Sequence, residues 1–238
     1  MNSLIKDLLQ PAVEPYAILE ARLRDIARND IAVAGKGSGR YGLAIEEALG
    51  ITQNSSKSPD FMGIELKTKS DKSLQTLFSR TPSKFLAGKN KTGFFDLYAY
   101  EDTKRNRRAL YTSFCSQEDT LGFSLSVADL MVKVLHKEKP IVEYERAKLE
   151  AALLSKHSQT VFINVIPLKG KVRIDSAIYC HSPSLVRFLE LITEGLVYLD
   201  FTMSESASGK IKDHGFLWRI RTEAISRLYL HTEKMNLA

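Results

Sequence analysis

Asp60, Glu65 and Lys67 place two carboxylates and an ammonium within eight residues, in the run Pro59-Asp60-Phe61-Met62-Gly63-Ile64-Glu65-Leu66-Lys67. On a strand, whose side chains alternate between faces, Glu65 and Lys67 project to one side about 7 Å apart by Cα, while Ile64 and Leu66 point into a core. Gly63 permits a tight turn or bulge that could swing Asp60 towards Glu65. Such a set suits phosphodiester hydrolysis. That reaction needs a hard cation to neutralise developing charge, and Mg²⁺ is typically held by one or two carboxylates, with water and phosphate oxygens completing the octahedron. Asp60 and Glu65 are the candidate carboxylates, and Lys67 is placed to position and deprotonate an attacking water. A surface pair on an amphipathic strand is the competing reading of Glu65 and Lys67 taken alone.

The elements that must hold these residues read as α+β, without repeats or low-complexity tracts. Residues 4–28 space their apolar side chains helically around Pro11 and Pro15, which predicts two helical pieces. The glycine-rich loop at 35–40 lacks the Gly-Lys-Ser/Thr of a P-loop and is read as a flexible connection or a phosphate-contacting loop. A short helix over 41–49, closed by Gly50, comes next. Strand character then runs through 61–78, 94–100, 109–114 and 121–127, predicting a mixed or antiparallel sheet. A helical period covers 144–154, and residues 160–167 and 172–179 read as a hairpin turning at Lys169-Gly170. A helix over 183–191 with Ser182 as N-cap, strands at 196–201 and 216–220, an exposed loop over 204–215 between them, and a closing helix over 223–230 complete the pattern.

Composition bounds the setting. The chain of 238 residues is 44% hydrophobic and 26% charged, long enough for one large domain or two lobes sharing a cleft. No apolar run is long enough for a membrane span, and the start, Met1-Asn2-Ser3-Leu4, is not that of a secretory signal, so a soluble cytoplasmic protein is expected. Cys115 and Cys180 lack metal-site spacing and read as small core residues. The net charge of +6 favours polyanionic partners in general. Lys36, Arg40, Lys57, Lys67, Lys69, Lys72, Arg80, Lys84 and Lys89 crowd the part of the chain that holds the acidic pair.

The runs Gly39-Arg40-Tyr41-Gly42-Leu43-Ala44-Ile45-Glu46-Glu47-Ala48-Leu49-Gly50, Ser58-Pro59-Asp60 through Lys69, and Thr76-Leu77-Phe78 resemble the MutH-like nucleases of the PD-(D/E)xK superfamily. They resemble in particular the MvaI/BcnI type II restriction endonucleases, whose hallmark Glu-Leu-Lys is matched by Glu65-Leu66-Lys67. The similarity continues through residues 172–205 and Asp213-His214-Gly215-Phe216-Leu217-Trp218-Arg219-Ile220, and so covers most of the chain from about Arg40.

The resemblance implies a restriction-endonuclease-like α+β fold, with a mixed sheet flanked by helices and two lobes around a cleft for duplex DNA. It implies a single endonuclease domain over 1–238, with a catalytic lobe at about 30–135 and a C-terminal recognition lobe at about 140–238. Mg²⁺, for which Mn²⁺ can substitute, would be held by Asp60, Glu65 and the main-chain carbonyl of Leu66, with Lys67 assisting the water. Glu46 matches an acidic position beside the metal; a solvated helix face is its competing reading. DNA contacts carry over onto Lys69, Ser79 and Arg80 from the catalytic lobe, and onto Lys210, Lys212, Asp213, His214, Arg219 and Arg221 in and after the 204–215 loop. The implied enzyme is a monomer that cuts the two strands in turn, paired in its system with a DNA methyltransferase. A short GC-rich target of the CCNGG kind is implied, although Ser79 and Leu217 are small or apolar where a relative carries histidines. A MutH-like strand-nicking repair enzyme and a non-catalytic DNA-binding protein are the alternatives. His136, His157, His181 and His231 read as surface or satisfied core residues. The basic run Lys104-Arg105-Asn106-Arg107-Arg108 reads as a solvated turn or a phosphate contact.

Overall fold

The computed structural model describes residues 13–37, 39–51, 58–70 and 74–238. The first expected helical piece, Ser38 of the glycine-rich loop, Lys57 and Lys72 lie outside them. The chain divides into two compact units, each drawn from several stretches: residues 1–72, 156–182 and 230–238 form unit 1, and residues 73–155 and 183–229 form unit 2.

Unit 1 is built on a five-stranded sheet. In it β1 (Ile31–Ala32), β11 (Lys171–Pro183), β10 (Gln159–Leu168) and β2 (Glu65–Lys69) lie in that order, and β14 (Tyr229–Lys234) pairs with β11. The β10–β11 hairpin is antiparallel and turns at Gly170, whose φ of 68° requires the left-handed region that glycine occupies without cost. β2 adds to β10 in parallel, with Glu65 opposite Thr160 and Lys67 opposite Phe162. Helices α1 (Val13–Ala27) and α2 (Arg40–Ala48) cover the sheet. Pro15 sits in the first turn of α1, where its missing N–H costs no helical bond. Leu19, Leu23, Ala44, Ile45, Ile64, Leu66, Val161 and Ile163 are all buried in one core. The strand that carries Glu65 is therefore anchored from its apolar side.

Unit 2 contains two sheets, one ordered β3 (Gln75–Ser79), β13 (Ile211–Ile220), β12 (Val197–Glu205), β6 (Arg107–Phe114), β5 (Tyr100–Asp102). The other runs β4 (Lys84–Phe85), β9 (Lys139–Glu145), β8 (Met131–His136), β7 (Phe123–Val127). Its interior is aromatic: Phe201 meets Phe114, Phe94 and Phe216 with centroids 5.0, 5.2 and 5.4 Å away, mostly edge to face, and Tyr144 meets Trp218 at 5.1 Å.

Four expectations are corrected. Residues 94–100 are not a strand but mostly helix α3 (Lys91–Tyr98), because Asn90 caps it by accepting from Gly93 N at 3.0 Å and Phe94 meets Tyr98 one turn on, at 4.9 Å. The N-cap of α5 (Leu185–Thr193) is Ser184, which accepts from Arg187 N; Ser182 still belongs to β11 and bonds back to Ser158 O. The exposed loop over 204–215 is mostly hairpin, since β12 runs to Glu205 and β13 starts at Ile211. The closing helix shrinks to a 3-10 turn (Thr222–Ala224) and a single turn, α6 (Ile225–Leu228), because pairing with β11 draws the following residues into β14. Strands β8 and β9, and helix α4 (Arg146–His157) reaching three residues beyond the expected 154, complete the elements.

Candidate active site

Local backbone geometry builds the acidic pair. Phe61 N donates to Ile64 O at 2.9 Å and Ile64 N to Phe61 O at 2.8 Å, closing a two-residue turn in which Met62 (φ 45°) and Gly63 (φ 91°) are both left-handed. That is the turn type that suits a tight reversal between paired strands. The reversal carries Asp60 back over the start of β2, where its Oδ2 accepts from Leu66 N at 2.9 Å. The fold-back thus brings the Asp60 carboxylate against the main chain of Leu66, the residue after Glu65.

Glu65 is 1% exposed. A carboxylate stripped of water is costly unless cations and hydrogen bonds compensate. Two lysines do so here. Lys67 donates to Glu65 Oε1 from the same strand face, and Lys156 reaches both oxygens, Oε1 at 3.4 Å and Oε2 at 3.3 Å. Lys156 stands in the last turn of α4, and the next residue, buried His157, bonds through Nδ1 to Thr160 Oγ1 at 3.0 Å. Thr160 is the register partner of Glu65 across the parallel pair. One short connection therefore fixes the helix end against the strand and aims Lys156 at the carboxylate.

Glu46, on α2, joins the group. Its Oε1 lies 3.8 Å from where a Cβ on Gly42 would stand, and the same point is 3.9 Å from Thr68 Cβ on β2. Its carboxyl is pushed above the usual range, first by partial burial, then by the negative charge of Asp60 and, more weakly, Glu65, with Lys67 opposing. Asp60, Glu65, Lys67 and Glu46 are thus brought together in unit 1, and Lys156 is added to them. Sequence reasoning passed over Lys156; the available signal was a Lys-His pair closing a helical period directly before a strand.

The donor set fits a hard divalent cation. Asp60 and Glu65 offer carboxylate oxygens and Leu66 a main-chain carbonyl, the oxygen donors such a cation takes. Among the described residues no group of three or more His, Cys, Asp or Glu side chains is placed to hold a metal ion.

The expected DNA contacts fall in different places. Lys69 ends β2 opposite Asn164. In unit 2, Ser79 pairs with Leu217 and Arg80 N donates to Phe216 O, so both lie beside the β13 residues 215–217. Ser79 Oγ lies 2.5 Å from the Cβ position of Gly215, whose φ is 106°, so this close approach admits only glycine. His214 and Lys212 are exposed on β13, and Lys210 is exposed at the hairpin turn. Asp213 accepts from Gly215 N at 2.7 Å and from Lys91 Nζ at 2.9 Å, and so is held by the protein itself. Arg219 bridges Asp200 Oδ2 (2.9 Å) and Leu74 O (2.8 Å), tying β13 to its neighbours. Arg221 donates to the Tyr198 hydroxyl at 2.7 Å and lies over its ring.

Of the histidines, His157 is a satisfied core residue, while His181 and His231 stack at 4.5 Å. Cys115 and Cys180 are buried free thiols, and burial pushes that of Cys180 up to about 12. No helix among the described residues is long and apolar enough to cross a membrane.

The family model described as the MvaI/BcnI restriction endonuclease family matches residues 20–229. Among solved structures, the complex of restriction endonuclease MvaI with its cognate DNA substrate is similar to this chain with a TM-score of 0.75 and 20% identity, over 92% of this chain and 98% of that one. MvaI in the absence of DNA gives a TM-score of 0.58 at 20% identity, over 96% and 100%. No curated protein sequence matches the chain. These likenesses establish the α+β restriction-endonuclease fold, and the match over residues 20–229 makes this chain a member of the MvaI/BcnI restriction endonuclease family.

Proposed function

We propose that the chain is a type II restriction endonuclease that hydrolyses phosphodiester bonds of duplex DNA with Mg²⁺ at the site formed by Asp60, Glu65, Lys67 and Glu46. The observation that carries this reading is the nearly inaccessible Glu65 carboxylate, held by Lys67 and Lys156 beside the folded-back Asp60. In it Asp60, Glu65 and the Leu66 carbonyl would hold the cation, and Mn²⁺ would be able to substitute. A bound Mg²⁺ would supply charge neutralisation at the scissile phosphate. Lys67 orients the attacking water and assists loss of its proton, since its Nζ sits at the edge of the acidic pair. Glu46 supplies a further acidic group beside the metal, close enough to feel the charges of Asp60, Lys67 and Glu65. Lys69, Ser79, Arg80, Lys210, Lys212, Asp213, His214, Arg219 and Arg221 are the proposed DNA-facing set. Within it the exposed Ser79, His214, Lys210 and Lys212 are available for direct contact, whereas Asp213 and Arg219 act by shaping β13. The proposed target is a short site of the CCNGG kind, cut by a monomer in the cytoplasm, with a methyltransferase protecting host DNA.

The test is incubation of the purified protein with a long unmethylated DNA, with Mg²⁺ and then with EDTA, followed by sequencing of the fragment ends. Discrete metal-dependent double-strand ends at one short motif are expected. Lys67→Ala should lower cleavage by at least about 10²-fold while leaving DNA binding largely intact, because the loss is in the chemistry. Near-normal turnover by that variant would remove Lys67 from the site. Nicks alone would favour a strand-nicking repair enzyme of the MutH kind.

A further inference from the structure

At one end of the first sheet of unit 2 two turns meet. Residues 103–106 join β5 to β6, and residues 206–210 join β12 to β13. Arg105, Asn106, Arg107, Glu205, Ser206 and Lys212 line a pocket of about 430 Å³ between them. Three cationic side chains there outnumber one carboxylate.

A buried N–H normally has an acceptor, because leaving it dry and unpaired costs free energy. Arg107 Nε is inaccessible and has no such partner among the described residues. The rest of the guanidinium is held in place: its Nη2 reaches the Tyr111 hydroxyl at 3.4 Å, and its Cζ lies 5.8 Å from the centre of that ring. Arg105 Nη1 pairs with Asp102 at 3.3 Å, and Asn106 turns the chain with φ 47°. In the other turn Ser206 Oγ accepts from Lys210 N at 3.1 Å. Both walls are therefore ordered by bonds of their own.

We propose that this pocket receives a backbone phosphate of duplex DNA, with Arg105, Arg107 and Lys212 as its ligands; the inference rests on the DNA endonuclease reading. A phosphodiester presents two terminal oxygens and one charge. That pattern matches a guanidinium fork, and Lys212 adds a point charge. Lys104 and Lys210, exposed in the same two turns, extend the positive strip towards flanking phosphates. Glu205 opposes the anion, and its Oε1 lies 3.8 Å from the Cβ position of Gly209 in the 206–210 turn. It moderates affinity at a contact that carries no base information and serves only to set position.

The experiment is binding of a labelled duplex in EDTA, followed by anisotropy across a range of salt, for the wild-type chain, Arg105→Ala/Arg107→Ala and Glu205→Gln. Each neutralised phosphate contributes about 0.9 to the slope of log affinity against log salt. The double variant should show a slope shallower by about 1 and weaker binding to cognate and unrelated duplexes alike. Glu205→Gln should bind roughly two- to fivefold more tightly, a gain that misfolding cannot produce. If the wild-type chain binds DNA but the double variant keeps its slope, or Glu205→Gln does not tighten binding, the pocket is overturned and the endonuclease reading stands. If the wild-type chain does not bind duplex DNA, that reading fails and the pocket with it.

Discussion

The Glu65 carboxyl group is 1% exposed, and the cost of burying it is offset by two lysines, Lys67 two residues away and Lys156 ninety-one residues away. A hydrogen bond to a charged group contributes about 1.5–3 kcal/mol. Lys156→Ala should therefore destabilise the metal-free protein by about 2 kcal/mol in urea denaturation. If Glu65 is a metal ligand, Mg²⁺ should stabilise this variant more than the wild type, because the cation takes over the compensation that the ammonium provided. An equal response to Mg²⁺ in both proteins would argue that Glu65 is a structural ion-pair residue. The main-chain geometry nearby is equally specific: with Met62 and Gly63 both left-handed, Asp60 reaches Leu66 N only because the turn closes in two residues.

Among the elements, α3 shows how a close backbone approach decides what a sequence pattern leaves open. Its apolar run Phe94-Phe95 fits a strand as well as a helix. The helix wins because Asn90 caps it and because Gly88 and Gly93 let two backbone segments touch. A Cβ on Gly93 would stand 2.1 Å from Gly88 O, and one on Gly88 would stand 2.2 Å from Phe94 N. Neither contact can be relieved by a rotamer. Gly93→Ala should thus destabilise the protein by about 3 kcal/mol despite the better helix propensity of alanine, measured as a lowered urea midpoint. A neutral or stabilising result would mean that the segment before α3 shifts freely. The hairpin of β12 and β13 makes a similar point, since residues read as a polar loop become strand once each has a partner, Ser204 opposite Lys212 and Met203 opposite Asp213.

Over the whole molecule, each compact unit interleaves early and late residues. β2 pairs with β10, β3 with β13, and β6 with β12, so the sheet of unit 1 and the first sheet of unit 2 are completed only when the last third of the chain is present. Two fragments made by dividing the chain after Lys139 should each fail to fold alone, because the cut separates β8 from most of β9 and strips β2, β3 and β6 of partners. The check is amide dispersion in NMR spectra of each fragment and of their mixture. A well-dispersed spectrum from either fragment by itself would contradict the interleaving.

What the sequence determined unaided is the local chemistry. Asp60, Gly63, Glu65 and Lys67 lie within one fold-back and one strand, so residue type, period 2 and the freedom of glycine were enough to bring the acids and the lysine together, and the run around them resembled one nuclease family. The Lys169-Gly170 hairpin and the helix ended by Gly50 were legible for the same reason, each being specified by neighbours in sequence. Tertiary structure alone decided the rest. Lys156 reaches Glu65 through a helix end fixed by His157 and Thr160, β14 exists because β11 offers an edge, and Arg105 and Lys212 line one pocket because two hairpin turns share one end of a sheet. These pairings join residues far apart in the chain, and their free energy comes from burial and hydrogen bonding that appear only once the partners have met. Periodicity in a short window carries no trace of them.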